Sequence, residues 1–445
     1  MEIKINIPRG ARQILRELEA KGFEAYAVGG CVRDSLLGKE PEDWDICTSA
    51  KPDEVLACFK NYRVIPTGLK HGTVTVMIED IPFEITTYRI DGEYSDNRRP
   101  DNVSFTADLT EDLTRRDFTV NAMAYSPTLG LADPFYGAKD LNNKLIRCVG
   151  DPVMRFHEDG LRILRAVRFA AVLGFKIHAL TEDAINSNLH LLENISKERI
   201  AAELNKILLG DVPDFDPALF LSCVCAVIPG FKPCVGFQQN NPYHIYDVAQ
   251  HTLYALSHAP KDLQIRLAVL LHDIGKPHCY TEDERGGHFY GHQSVGADMA
   301  RKILTDLKYD NNTVDTVVKL IAYHVSTIVP TKAAVKRWLN KLGEELFRKL
   351  LQVMRADSLA HSELSREYLD KLTAAEDVID EILAEEACFS LKDLAVNGDD
   401  IMTLGVKQGK EVGVILGQLL EAVMDGLVEN TKEALIDEVR SRFIR

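Results

Sequence analysis

The chain has 445 residues, 46% of them hydrophobic, and a formal net charge of −15. That length predicts two to four domains with real cores, and the acidic balance argues against indiscriminate nucleic-acid binding. No apolar run reaches the roughly 18–20 residues of a membrane span, and the N-terminus lacks the charged start, apolar run and cleavage site of a signal peptide.

Residues 1–147 read as mixed α/β. IPRGARQILRELEAKG has the apolar spacing of an amphipathic helix and stops at Gly22. FEAYAVGG predicts a strand running into a Gly turn, VRDSLLG a helix start, and DWDICTS a second strand. GTVTVMI and FEITTYRI alternate apolar and polar residues around the turn EDIP, the pattern of paired strands. From about residue 151 the period becomes helical, in LRILRAVRFAAVLGF, with Gly174 near its end, and in ISKERIAAELNKILLG. A Pro-rich irregular stretch over 212–242 marks a boundary. Residues 243–372 are His-rich and helical, and 373–445 form an acidic helical segment. The charge is uneven: residues 370–445 carry 17 acidic and 8 basic side chains, whereas 146–206 carry 8 acidic and 9 basic. A phosphate backbone is therefore expected on the first half rather than the tail. Nine scattered Cys, with no C-x-x-C pair, read as the reduced thiols of a cytoplasmic protein.

The stretch AVGGCVRDSLLGKEPEDWDICTSA carries the first chemistry. In a strand, Asp43 and Asp45 project to one face, with Trp44 opposite. Two adjacent carboxylates repel unless a cation lies between them, and Mg²⁺ suits a carboxylate pair that also faces phosphates. Gly29 and Gly30 let phosphate oxygens approach backbone amides, a helix starting near Val32 favours anions, and Arg33 adds a planar donor. Glu84 in FEITTYR is a candidate third carboxylate.

GGCVRD followed by DWDI resembles the head of the class II tRNA nucleotidyltransferases, the CCA-adding enzymes and bacterial poly(A) polymerases. TGLKHGTVTV, FEITTYR, DLTRRDFTVNAMAY, RFHEDGLRILRAVRFAAVLGF, ISKERIAAELNKIL and the tail LKDLAVNGDDIMTLGVKQGKEVGVILGQLLEAV resemble the family's later segments in order. The resemblance implies a polymerase-beta-like α/β nucleotidyltransferase head over 1–147. All-helical parts follow: neck and body over 148–242, an HD-type domain over 243–372 and a tail over 373–445. It implies that Asp43 and Asp45, supported by Glu84, hold catalytic Mg²⁺ while an RNA 3′-hydroxyl attacks the α-phosphate of CTP or ATP. Gly29, Gly30, Arg33 and Arg115 or Arg116 would meet the triphosphate.

Asp159 and Arg162, at i and i+3 of an expected helix, share a face and could read the Watson–Crick edge of cytosine or adenine. In the family this pair is held to act as a protein template. Arg165 and Arg168 continue that face toward phosphate and ribose. The polar loop DGEYSDNRRPDNVSF, residues 91–105, is similar to the flexible loop of members that add the whole triplet. The partner implied is the tRNA 3′ end, recognised by shape and backbone, with no DNA and no membrane; a homo-oligomer is compatible. Poly(A) synthesis, or addition of A alone, stays open.

QHTLYAL, LLHDIGK, GHQSVG, AYHV and MRADSLAH resemble the HD superfamily of metal phosphohydrolases. The matching positions are His251, His272, Asp273, His292, His324 and Asp357, with Lys276 a candidate phosphate contact and His244 a rival to His251. Imidazole and carboxylate together suit a transition metal such as Mn²⁺, Fe²⁺, Ni²⁺ or Zn²⁺. A protein whose main activity is the HD site, with a vestigial RNA-binding head, is the alternative of a different class.

Overall fold

The computed structural model describes residues 4–92, 102–210, 217–284, 286–363 and 366–444. Most of the loop expected over 91–105 lies outside them. The chain divides into two compact units, 1–229 and 230–445.

In the first unit, α1 (Arg9–Ala20) buries Ala11, Ile14, Leu15 and Leu18, the single stripe its sequence spacing predicts. Then come β1 (Ala25–Val28), α2 (Gly30–Leu36), β2 (Ile46–Thr48), α3 (Pro52–Cys58), β3 (Arg63–Gly68), β4 (Thr73–Ile78) and β5 (Ile81–Thr87). The β4–β5 hairpin closes through Glu79 and Asp80, both at positive φ, with Ile78 facing Ile81. A small antiparallel pair, β6 (Arg89–Asp91) with β7 (Val103–Phe105), precedes α4 (Leu109–Thr114), β8 (Ala124–Ser126), β9 (Gly130–Ala132) and α5 (Gly137–Asn142). Seven strands make one sheet in the order β3-β4-β5-β2-β1-β8-β9, with β2 and β5 its parallel pair. Tyr26, Val28, Cys47, Tyr88, Leu113 and Val149 pack a core against it.

The rest of this unit is mostly helical but not wholly so. β10 (Leu145–Ile146) pairs in parallel with β11 (Lys176–Ile177), around α6 (Pro152–Glu158) and α7 (Leu161–Leu173). The residues expected to be all helical therefore include a short strand, because the chain leaving α7 at left-handed Gly174 runs back beside 145–146. α8 (Ala179–Asn188) and α9 (Lys197–Leu208) follow. α10 (Pro217–Val227) falls inside the stretch expected to be irregular. Its residues, PALFLSCVCAV, are apolar on all sides, so no amphipathic period announces the helix.

The second unit contains α11 (Val248–His258), α12 (Leu263–Leu271), the strand pair β12 (Thr281–Asp283) and β13 (Gly286–His288), α13 (His292–Asp306), α14 (Asn311–Tyr323), α15 (Lys332–Leu342), α16 (Glu344–Leu359) and α17 (Arg366–Ala384). α12 is buried from Ile265 to Leu271 and packs on α11, α14 and α16. At about 1.5–3 kcal/mol per buried large aliphatic side chain, that run fixes the place of the residues that follow it. The last helices, α18 (Gly398–Thr403), α19 (Lys410–Met424) and α20 (Lys432–Phe443), close a separate core around Ile401, Ile415, Leu419 and Leu435. Among the described residues no helix is long and apolar enough to cross a membrane, and all nine Cys are free thiols.

Candidate functional sites

The acidic pair sits at the start of β2. The strand begins at Ile46, so Asp43 and Asp45 lie in the exposed segment just before it rather than within it. Pro41 and the density of charge end the regular pairing there, although Val28 still donates to the Asp45 carbonyl at 3.0 Å. Ile46 is in register with Ile85 of the parallel neighbour β5, which brings Glu84 beside Asp45. The residue Asp45 is open to solvent on one side. Its protein-facing side, then Asp43 and Glu84, push its carboxyl up to about 6, against the pull of Arg116. Three carboxylates gathered where the central strand β2 begins beside β5, one of them driven toward protonation by burial and by the other two, fit a divalent cation.

Opposite them lies the Gly turn. Gly29 has φ +82°, and a Cβ there would come within 2.8 Å of the Arg116 guanidinium. The missing side chain is what allows Arg116 to lie over the turn. Gly29 N–H is spent on the Met123 carbonyl, and Gly30 is the first residue of α2. Arg115 points elsewhere, with Nε and one terminal nitrogen on the fully buried Asp112 at 3.0 and 2.8 Å. Arg33 is buried and donates twice to Asp34 at 2.8 Å and once to Asn121 at 2.6 Å.

Asp159 and Arg162 depart from the expected shared helix face. Asp159 lies in the link between α6 and α7, in extended conformation, and its carboxylate accepts from Leu161 N–H at 3.1 Å. It pairs with Arg199 of α9 at 2.8 Å, while Arg162 pairs with Glu158 at 2.6 Å and donates to the Arg115 carbonyl at 3.0 Å. Arg165 binds Asp117 through two nitrogens at 2.8 and 2.6 Å, and Arg168 pairs with Glu203 at 2.6 Å. Three guanidinium carbons, those of Arg33, Arg165 and Arg168, lie 5.1, 5.4 and 4.1 Å from the centre of the Phe169 ring. Burial would raise the Asp117 carboxyl, but Arg165, Arg162 and the Asn121 amide hold it down at about 2. Asp112, Asp117, Asn121, Arg199 and Glu203 escape the sequence reading. Asp112 and Asp117 stand beside the Arg-Arg pair in the string; their burial does not show there.

In the second unit, five helices converge. His251 comes from α11, His272 and Asp273 from the end of α12, His292 from the start of α13, His324 from the end of α14 and Asp357 from α16. Nδ1 of each of the four His lies near a backbone carbonyl: Ala360 at 3.3 Å, Val269 at 2.7 Å, Phe289 at 2.7 Å and Ile321 at 2.6 Å, respectively. With the ring protons assigned to those carbonyls, four Nε2 lone pairs turn inward. They face one another in pairs at 3.4 Å, His272 with His251 and His292 with His324. Asp357 lies 2.8 Å from His251, and Asp273 meets the two pairs with different oxygens: Oδ2 is 3.2 Å from His272 and Oδ1 is 3.5 Å from His292. Facing lone pairs repel unless a proton or a metal ion lies between them, and a donor set of imidazole and carboxylate fits a transition metal. Burial opposes charging His272, yet Asp273 and Asp357 carry it up to about 10; burial lowers His292 to about 4. Lys276 is buried, 2.7 Å from both Asp273 and Gln239. His244 and His361 flank His251 as a further group able to hold an ion; His361 is a member that the sequence pattern does not single out.

Residues 25–147 match the family model of the poly A polymerase head domain, 174–214 that of the probable RNA and SrmB-binding site of polymerase A, and 290–439 that of a putative tRNA nucleotidyltransferase domain 2. A CCA-adding enzyme of Levilactobacillus brevis is 36% identical over 435 residues, which cover 96% of each chain. The chain belongs to the family of CCA-adding enzymes. As a member it is a nucleotidyltransferase. The CCA-adding enzyme of Geobacillus thermodenitrificans is 35% identical over 95% of this chain and 94% of its own. Among solved structures, the Bacillus stearothermophilus CCA-adding enzyme in complex with CTP superposes with a TM-score of 0.68 at 29% identity, covering 97% of this chain and 96% of that one. The Thermotoga maritima CCA-adding enzyme complexed with tRNA is similar in fold, with a TM-score of 0.62 at 20% identity over 98% and 96%.

Proposed function

We propose that this nucleotidyltransferase adds CCA to the 3′ end of tRNA from CTP and ATP. The observation that carries the reading is the carboxylate cluster of Asp43, Asp45 and Glu84 facing a Gly29 turn overlaid by Arg116. Mg²⁺ held by Asp43 and Asp45 would supply positive charge to the α-phosphate and to the attacking oxygen. Arg116 would take the triphosphate. Arg33 and Arg165, clamped by Asp34, Asn121 and Asp117, would hold the wall beside it. Asp159 and Arg162 would trade their partners Arg199 and Glu158 for the edge of the incoming base. The 3′-oxygen bonds to the α-phosphorus as pyrophosphate leaves, and the hydroxyl proton passes to solvent. The relative from Bacillus stearothermophilus, solved with CTP, supports the nucleotide assignment.

The test uses tRNAs ending before CCA, at C and at CC, with Mg²⁺ and labelled CTP or ATP. CTP incorporation followed by one A supports the reading, and Asp45→Asn should lower it by roughly 10²–10³-fold. Long A tails would instead make the chain a poly(A) polymerase, and ATP use on the CC end alone an A-adding enzyme.

A second activity is favoured by the His and Asp cluster. We infer a phosphoesterase in the second unit, with His251, His272, Asp273, His292, His324 and Asp357 as ligands, within an HD-like domain over 243–372 between the body and the tail. Ni²⁺, Mn²⁺, Fe²⁺ or Zn²⁺ there would supply Lewis acidity toward a phosphate ester. Water would add to phosphorus as the ester P–O bond breaks, and the alcohol would leave with a proton from that water. His272→Ala should abolish metal-dependent hydrolysis and leave nucleotide addition intact.

A further inference from the structure

The His and Asp cluster opens into a pocket of about 690 Å³, a size that suits a small organic ligand rather than an inorganic anion. One wall is built by the segment that follows β13 and delivers His292. His288 is held by Asp283 at 2.9 Å, and its ring stacks on Tyr290 with centroids 5.4 Å apart and planes 13° from parallel. Phe289, between them in sequence, packs on Tyr280 and beneath the Lys276 ammonium. Tyr290 thus has one face covered by an anchored imidazole, yet it is 80% exposed. It lines the pocket two residues from a proposed metal ligand. A second tyrosine, Tyr243, lines the same pocket, is 55% exposed, and is tied down through its carbonyl by Ser362 N–H at 2.8 Å. A lone exposed aromatic needs no explanation. A stacked, anchored pair at the mouth of a charged pocket is different, because a third flat ring can extend the column with little ordering cost.

We propose that Tyr290, backed by His288, is the base-stacking platform of this second site and the residue that sets its preference for nucleotides or nucleotide ends over simple alkyl phosphates. The proposal rests on the phosphoesterase reading above. It places the phosphate over the His and Asp cluster and the base on the open face of Tyr290. Stacking of a base on an aromatic side chain is worth about 1–3 kcal/mol, so losing the ring weakens binding by roughly tenfold or more.

The full chain, loaded with Ni²⁺ or Mn²⁺, is assayed on adenosine 2′-, 3′- and 5′-monophosphates, on glycerol 3-phosphate and on p-nitrophenyl phosphate. Binding of the adenosine esters is measured in parallel by calorimetry, and the difference between wild type and Tyr290→Ala isolates this pocket from the head. The expected result is a preference for adenosine esters, a KM about tenfold higher in Tyr290→Ala with kcat little changed, no effect on glycerol 3-phosphate, and recovery in Tyr290→Trp. Equal losses on adenosine esters and glycerol 3-phosphate would show a structural role and overturn the proposal. So would p-nitrophenyl phosphate being preferred and equally dependent on Tyr290. Binding that depends on Tyr290 without any hydrolysis would uphold the platform and sink the phosphoesterase reading. Binding indifferent to Tyr290 overturns the platform, whatever the hydrolysis.

Discussion

Asp117→Asn tests the framework of the head most sharply. Asp117 is 8% exposed, accepts two hydrogen bonds from Arg165, and accepts from the Asn121 amide at 3.1 Å; Asn121 in turn accepts from Arg33. Its carboxyl titrates at about 2 in the folded chain and at about 3.9 when unfolded. At 1.36 kcal/mol per unit the difference is about 2.6 kcal/mol, which shrinks to about 2 because the Arg165 side chain is 33% exposed and partly screened. The folded pKa is depressed, so this stability is fully present above pH 4 and is lost as pH falls through about 2. Asparagine keeps the shape and loses the charge. The chain has two Trp, so Trp338→Phe leaves Trp44 as the fluorescent reporter of the first unit. Urea unfolding at pH 7 should place Asp117→Asn about 2 kcal/mol below its parent, roughly thirtyfold in the unfolding equilibrium. The gap should narrow by about half at pH 3. A gap that is absent at pH 7, or the same at pH 7 and pH 3, refutes the reasoning. Nucleotide KM should rise in the same variant, since Arg33 and Arg165 lose their common anchor.

Gly29→Ala puts a Cβ at φ +82° and 2.8 Å from Arg116; it should cost about 1–3 kcal/mol of stability and raise the KM for CTP and ATP in steady-state addition assays, and unchanged kinetics would remove Arg116 from the triphosphate site. Arg199→Ala leaves Asp159 without its 2.8 Å partner. If that pair holds Asp159 ready before the base arrives, discrimination of CTP and ATP against UTP and GTP should fall by about tenfold while total incorporation drops less; an equal loss for all four nucleotides argues for a structural role alone. Chelation followed by Ni²⁺ or Mn²⁺ at about 100 times its Kd should restore about 2.7 kcal/mol of stability to the second unit, read through Trp338 in a Trp44→Phe background. No response to metal, with no metal retained on dialysis, would sink the assignment of the His and Asp cluster.

What could be read from the sequence was what the chain states locally. The carboxylate pair lies within three residues and the Gly turn shortly before it; the β-branched alternation of GTVTVMI and FEITTYRI gave β4 and β5, and Gly22 and Gly174 ended their helices. Pairings between distant residues could not be read this way. Asp159 meets Arg199, forty positions on, because α9 packs along α7, and no spacing rule within one helix reports that. His361 joins His244 and His251 only because α16 crosses α11. α10 was invisible for the opposite reason: a helix apolar on every side has no period to detect.

The Arg-Arg-Asp segment shows why a string can be legible while its roles are not. α4 ends at Thr114, and Arg115 is its last turn of αR backbone. Three consecutive side chains then diverge: Arg115 folds back onto Asp112, Arg116 turns over Gly29 beside Asp45, and Asp117 goes inward under Arg165. Had the helix continued, Arg116 and Asp117 would lie about 100° apart on one cylinder and could not serve both the Gly turn and the buried anchor. Breaking the helix two residues after its acidic first turn lets a three-residue span supply one charge to the proposed triphosphate site and another to the scaffold that holds α7. The cost is a fully buried Asp112: Arg115 and Arg89 N–H donate to its Oδ1, while among the described residues its Oδ2 accepts no hydrogen bond and is offset only by the charge of the Arg116 guanidinium, 3.8 Å away. In the proposed site Asp112 would therefore act through the direction it gives the arginines rather than through contact with a nucleotide.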